Sequence, residues 1–182
     1  FNRALIRYNR NDLNGALSDL EKVLAEDPGN ALTLYNRALI RTQIGDYNNA
    51  LDDYDRVIAI NPGNVLAYYN RGALFIQMER YNDALRDYDK AIELYPDFAN
   101  AYMNRSYVKN KLGRFSAAQS DYNIAQGKVQ SYKARLGDTT YSAFADTTQK
   151  FDRLLALDAD FAKKDFNNEL LQYRDVDIRL KP

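Results

Sequence analysis

The sequence predicts an all-α fold, a helix-turn-helix solenoid or superhelix of stacked units, with C-terminal capping helices and a short strand-like tail. Three observations lead there. Laid over itself at an offset of 34 residues, the chain aligns whole columns through four copies, and a fixed period of that length marks a stacked-repeat architecture. Each copy holds two stretches with apolar or small residues at helical spacing, separated by residues that break a helix. Neither stretch can bury its apolar face alone, so successive pairs must stack on one another.

The columns are specific. Asn2, Asn36, Asn70 and Asn104 align, followed at once by Arg3, Arg37, Arg71 and Arg105 and then by the small residues Ala4, Ala38, Gly72 and Ser106. Further along, Ala16, Ala50, Ala84 and Ala118 agree without exception, as do Asp19, Asp53, Asp87 and Asp121. Leu20, Tyr54, Tyr88 and Tyr122 follow, and Pro28, Pro62 and Pro96 close the first three copies.

Taken in order, the first copy (residues 1–30) opens at Phe1 in mid-helix, without counterparts of Val65 to Tyr68, which predicts a chain cut from a longer one. Copies 31–64 and 65–98 are complete. In the latter, Tyr68, Gly72, Phe75 and Met78 mark one helix, and Tyr81, Ala84, Leu85, Tyr88, Ile92 and Leu94 mark a second that Pro96 ends. Between them, Glu79 stands where Gly45 and Gly113 place a left-handed helix end. The last copy, residues 99–127, exchanges Ile92 for Gln126, and Lys128 just after it stands where Leu94 does, as in a solvent-facing terminal unit. The array therefore spans residues 1–127, and residues 128–182 form a separate region. There, Phe144, Phe151, Leu154, Leu155 and Leu157 give residues 142–157 an amphipathic helical pattern suited to covering the end of the stack. Val176, Ile178 and Leu180 alternate with charged residues, which predicts a strand over residues 173–180 that joins a sheet elsewhere or across a dimer.

The pattern Tyr68, Arg71-Gly72, Tyr81, Ala84, Tyr88, Ala91 and Pro96 resembles the tetratricopeptide repeat, with Tyr or Leu where that signature has Trp and Arg71 where it has Leu. The resemblance covers residues 1–127. It implies a protein-protein interaction module that holds an extended peptide in a concave groove lined by the first helix of each unit. Asn2, Asn36, Asn70 and Asn104 then form a ladder of carboxamides able to grip a peptide backbone, since each offers a donor and an acceptor. Tyr35, Leu39, Leu66, Tyr69, Met103 and Tyr107 are the apolar and aromatic groove residues beside it, with Ile76. Family members that capture acidic tails use basic groove residues, whereas Tyr, Leu and Asn stand here, so a neutral or apolar extended segment is expected. Packing between units is the competing role for each aromatic.

Arg71 and Asp87, and their equivalents in every copy, fall on successive antiparallel helices and predict interhelical salt bridges with a structural role. Routes to catalysis are thin. Cysteine and histidine are absent, which removes thiol chemistry, thiolate zinc sites and imidazole acid-base catalysis. Asp158, Asp160 and Glu169 share spacings with a calcium loop, but Ala162 and Lys163 stand where an oxygen ligand and a glycine are required. Asp52-Asp53 reads as a solvated helix face, and no glycine-rich phosphate loop occurs. The expectation is a non-enzyme without metal or cofactor.

Basic and acidic residues balance at 25 each, giving no field that favours nucleic acid. Mean hydropathy is −0.60, and no apolar run nears the roughly 18 residues of a membrane span. The expected partner is thus a protein or peptide, with no nucleic acid and no membrane insertion. An assembly scaffold or a homodimer through the tail or the open first repeat is the alternative, as is a non-catalytic region of a larger protein. The composition fits a soluble chain, in the cytoplasm or, if a leader has been removed, in the periplasm or outside the cell.

Overall fold

The computed structural model describes residues 1–136, with side chains through Ser131. In chain order these residues form α1 (Asn2–Asn9), α2 (Leu13–Glu26), α3 (Ala31–Gln43), α4 (Tyr47–Ile60), α5 (Val65–Gln77), α6 (Tyr81–Leu94), α7 (Ala99–Lys111) and α8 (Phe115–Leu136). The pairs α1–α2, α3–α4, α5–α6 and α7–α8 are the four repeats. The last helix runs on through residue 127 without interruption. The helix expected over residues 142–157, the strand over 173–180 and the partial calcium-loop spacing at Asp158, Asp160 and Glu169 lie outside the described residues.

Local sequence sets the helix ends. Asn30 and Asn64 cap α3 and α5, their side-chain oxygens accepting from the N–H groups of Thr33 at 2.9 Å and Ala67 at 3.0 Å. Asp12 does the same for α2. Each first helix stops at a residue with positive φ, Asn11 at 61°, Gly45 at 82°, Glu79 at 57° and Gly113 at 74°. Glycine reaches that region without a Cβ penalty, and asparagine visits it more readily than most. Glu79 is the costly member of the column.

Packing follows the small columns. Ala16, Ala50 and Ala84 are completely buried, and Gly72 meets the Tyr88 ring so closely that an added Cβ would stand 3.1 Å from it. Tyr54 and Tyr88 are sealed between one unit and the next, at 1% and 0% exposure. Edge-on ring contacts join Tyr35 to Tyr54 at 6.1 Å and Tyr69 to Tyr88 at 5.8 Å, a geometry that suits the aromatic quadrupole.

Charge ties each pair of helices. Arg3, Arg37, Arg71 and Arg105 each place two guanidinium nitrogens on the carboxylate of Asp19, Asp53, Asp87 and Asp121, at 2.6–2.9 Å. These four aspartates are buried, so of the pair Asp52-Asp53, expected on a solvated face, only Asp52 is exposed, while Asp53 is claimed by the interhelical ion pair. A second cation one turn along reinforces three of them: Arg7 on Asp19, Arg41 on Asp53 and Lys109 on Asp121. In the third unit that place belongs to Phe75, and Arg71 instead reaches back to Asp55 of the preceding unit. Arg105 bonds Asp89 likewise, so the column also binds unit to unit.

Candidate functional site

Successive first helices touch one another directly, α3 with α5 and α5 with α7, whereas α2, α4, α6 and α8 are joined chiefly through the first helices between them. The layer whose members approach more closely is the inside of the curve. The face of α1, α3, α5 and α7 turned away from the second helices is therefore the concave one.

The structure divides the residues expected on that face. Tyr35, Leu66 and Tyr69 are buried at 0%, 4% and 8% exposure, and Asn36 at 7%. Packing between units claims them. Leu39, Asn70, Met103 and Asn104 are half-buried, and Asn2 and Tyr107 are exposed. The asparagine column is not uniform either. Asn36 donates to the Leu32 carbonyl of its own helix at 2.8 Å, Asn70 donates to the Tyr35 hydroxyl at 2.5 Å, and Asn104 donates to the Tyr88 hydroxyl at 3.2 Å. One donor of each is thus spent within the fold, and the Tyr hydroxyls they satisfy sit beside the buried rings.

Two turns further along the same helices lies a second row of carboxamides. Asn9, Gln43 and Gln77 are exposed and hydrogen-bond no other group among the described residues. The sequence pattern described above does not single out these three residues. The signal that would have singled them out is their recurrence at the repeat period with no buried partner in reach. The row ends at Lys111, whose ammonium stands 5.4 Å from the Tyr107 ring.

Between the two rows the floor is apolar. Leu5, Leu39, Ala73 and Tyr107 occupy one column. At its first-unit end a small cleft between α1, α2 and α3 is lined by Leu5, Tyr8, Leu20, Asn36, Leu39 and Ile40. The first helices carry no Asp or Glu at all, and their column arginines are neutralised by the aspartates behind them. Little charge of either sign is left over for a ligand. Among the described residues no group of three or more acidic, His or Cys side chains is placed to hold a metal ion, and no helix is long and apolar enough to cross a membrane.

The tetratricopeptide repeat profile matches residues 65–98, and a second profile of the same repeat matches residues 39–78. Residues 39–98 are tetratricopeptide repeat sequence. Solved structures of such arrays overlay on the chain: MamA at a TM-score of 0.65 with 20% identity, over 84% of this chain and 92% of that one. Residues 41 to the end of MamA from Desulfovibrio magneticus RS-1 overlay at 0.67, also with 20% identity, over 70% of this chain and 72% of that one. At such identities the likeness is one of fold. No curated protein matches in sequence. A tetratricopeptide array of this kind is a protein-protein interaction module, and proteins built on it are generally non-catalytic.

Proposed function

We propose that the array holds an extended, uncharged segment of a partner polypeptide along the concave face of its first helices. The observation that supports this best is the row of unengaged carboxamides Asn9, Gln43 and Gln77, set parallel to the half-exposed Asn70 and Asn104. Each carboxamide matches both halves of a peptide group. An extended chain advances about 3.3 Å per residue, and packed helices lie about 8–10 Å apart, so each helix meets roughly every third residue of the ligand. The acid-free face argues against a basic ligand, and the neutralised arginines against an acidic one. The Leu5–Tyr8–Leu39 cleft then takes an apolar side chain near the first unit.

A displayed library of random unstructured peptides, panned against the immobilised chain, tests the reading. Enriched peptides should be neutral and rich in apolar residues. Replacing Gln43, Gln77, Asn70 and Asn104 together by alanine should weaken them about a hundredfold, as loss of several hydrogen bonds worth about 0.5–1.5 kcal/mol each requires. Undiminished binding to that variant, with circular dichroism showing it folded, would remove the groove from consideration.

A second reading, a homodimer through the first repeat, draws on Ile6. It is 53% exposed, whereas Ile40, Leu74 and Val108 of the same column are buried at 3%, 0% and 0% by the unit before them. Light scattering would report a dimer that Ile6→Asp dissociates, and a monomeric mass for the unaltered chain would end that reading.

A further inference from the structure

Leu20 is the odd member of its column. Tyr54 and Tyr88 are buried at the second and third joints of the array, where the second helix of one unit meets the first helix of the next. At the third joint the Tyr88 ring packs on Gly72, and its hydroxyl accepts from the Asn104 carboxamide at 3.2 Å. At the first joint Leu20 takes the place of that ring, with Ala4 and Asn36 as the counterparts of Gly72 and Asn104. Leucine stops short of where a phenol would end and carries no hydroxyl. Asn36 turns instead to its own helix and donates to the Leu32 carbonyl at 2.8 Å. What remains is the cleft between α1, α2 and α3, whose lining includes Ala4, Leu20 and Asn36. It is a vacated tyrosine site, and its part-exposed walls Tyr8 and Leu39 open it to the groove.

We propose that Leu20 sets the specificity of the groove: by leaving this cleft it admits one short aliphatic side chain of the bound segment, Leu, Ile or Val, at the first joint. Resting on the groove reading above, this assignment gives the ligand an anchor and a register. Size and chemistry select the occupant. The cleft holds about 220 Å³ of open space, below the roughly 300–1,000 Å³ of a small-molecule site, which leaves room for a single side chain. Leu20 still fills the inner part of the vacated site, so the space that remains is less than an aromatic ring needs. No charged residue lines it, and Arg3 and Arg7 of α1 are paired with Asp19. Apart from the Tyr8 hydroxyl, its side-chain polar group is the Asn36 carboxamide, already engaged with Leu32. A polar or charged tip would therefore lose its water for little return, whereas the Leu5, Leu39 and Ile40 walls favour an aliphatic one. At the second and third joints Tyr54 and Tyr88 occupy the equivalent space, which places the anchor at the first-unit end of the ligand and leaves its backbone to the carboxamides beyond.

Leu20→Tyr refills the site as Tyr54 does opposite Ala38, and should leave the melting midpoint unchanged or raised. Peptides selected on the unaltered chain should share one Leu, Ile or Val and bind the variant about tenfold more weakly, the worth of one buried aliphatic side chain. Replacing that peptide residue by alanine should cost the same factor, and the two losses should not add, because both remove one contact. Additive losses would overturn the socket. So would full affinity for Leu20→Tyr in peptides that still require Gln43, Gln77, Asn70 and Asn104, a result that leaves the groove itself standing. Should no peptide be selected, or the variant fail to fold, methyl resonances of the unaltered chain decide. N-acetyl-leucine methylamide, at tens of millimolar, should shift those of Leu5, Leu20, Leu39 and Ile40 selectively, and N-acetyl-asparagine methylamide should not. Equal shifts from the two probes, or none at these methyls, would refute the anchor.

Discussion

Asp53 and Asp87 occupy one column and differ in company. Asp53 is 1% exposed and receives both Arg37 and Arg41. Asp87 has Arg71 alone, already shared with Asp55, because Phe75 stands where a second cation would be. Burial pushes the Asp87 carboxyl above its ordinary range, and the hydrogen bonds from Arg71 only partly offset it. Removing one partner of a buried pair strands the rest, at a cost of about 3–5 kcal/mol. Asp53→Asn, which strands two guanidiniums, belongs at the upper end of that span. Asp87→Asn strands one that keeps Asp55 and should cost less, about 1.5–3 kcal/mol, that of an ordinary charged hydrogen bond. Urea titrations of both variants compare them, and equal losses would contradict this account. A simpler change concerns Glu79 at φ 57°. Left-handed backbone costs a residue with a Cβ about 1–2 kcal/mol, so Glu79→Gly should stabilise the chain and raise its melting midpoint by about 2–4 °C. A lowered midpoint would mean that the Glu79 side chain contributes something the backbone does not reveal.

At the scale of the helix, periodicity and breakers made α3 to α6 readable almost residue by residue, since caps, small columns and prolines act locally. The salt-bridge column was legible for the same reason: four identical pairs at one spacing leave one economical geometry. The groove was less so. On a helix, Tyr35 and Leu39 lie one turn apart on the same face, and only the neighbouring unit decides that Tyr35 is sealed while Leu39 stays half open. The asparagines pose a related problem, because a carboxamide column looks alike whether its donors meet a ligand, a Leu32 carbonyl or a tyrosine hydroxyl. This division makes a prediction within the groove. Asn36→Ala should cost stability and leave affinity for a selected peptide within about twofold, whereas Gln77→Ala should weaken it about tenfold, the equivalent of about 1.4 kcal/mol. Surface-immobilised peptide titrated with each variant reads the difference. The reverse order of effects would restore the asparagine ladder as the gripping row.

Over the whole molecule, the unequal salt bridges give the solenoid an uneven response to acid. Hydrogen bonds from Arg3 hold the Asp19 carboxyl below its ordinary range. Burial works to raise Asp121, but Arg105 and Lys109 together overcome it and leave that carboxyl lowered as well. A lowered folded-state pKa contributes stability above the unfolded value, near 3.9, that is lost as pH falls through the folded one. Asp87, being raised, has the opposite sign: its contribution is fully present below the unfolded value and is lost as pH rises through the folded one. Acid therefore withdraws support from the first and last units while favouring the third. Because repeats stabilise one another chiefly through nearest neighbours, such differences can show as separate opening. Amide protection in α1–α2 and α7–α8 should fall as pH drops below about 4, before it falls in α5–α6. Hydrogen exchange followed by peptide mass, corrected for the intrinsic pH dependence of exchange, resolves the order. Loss of protection in α5–α6 first, or in all units together, would show that the local ion pairs do not set the acid response.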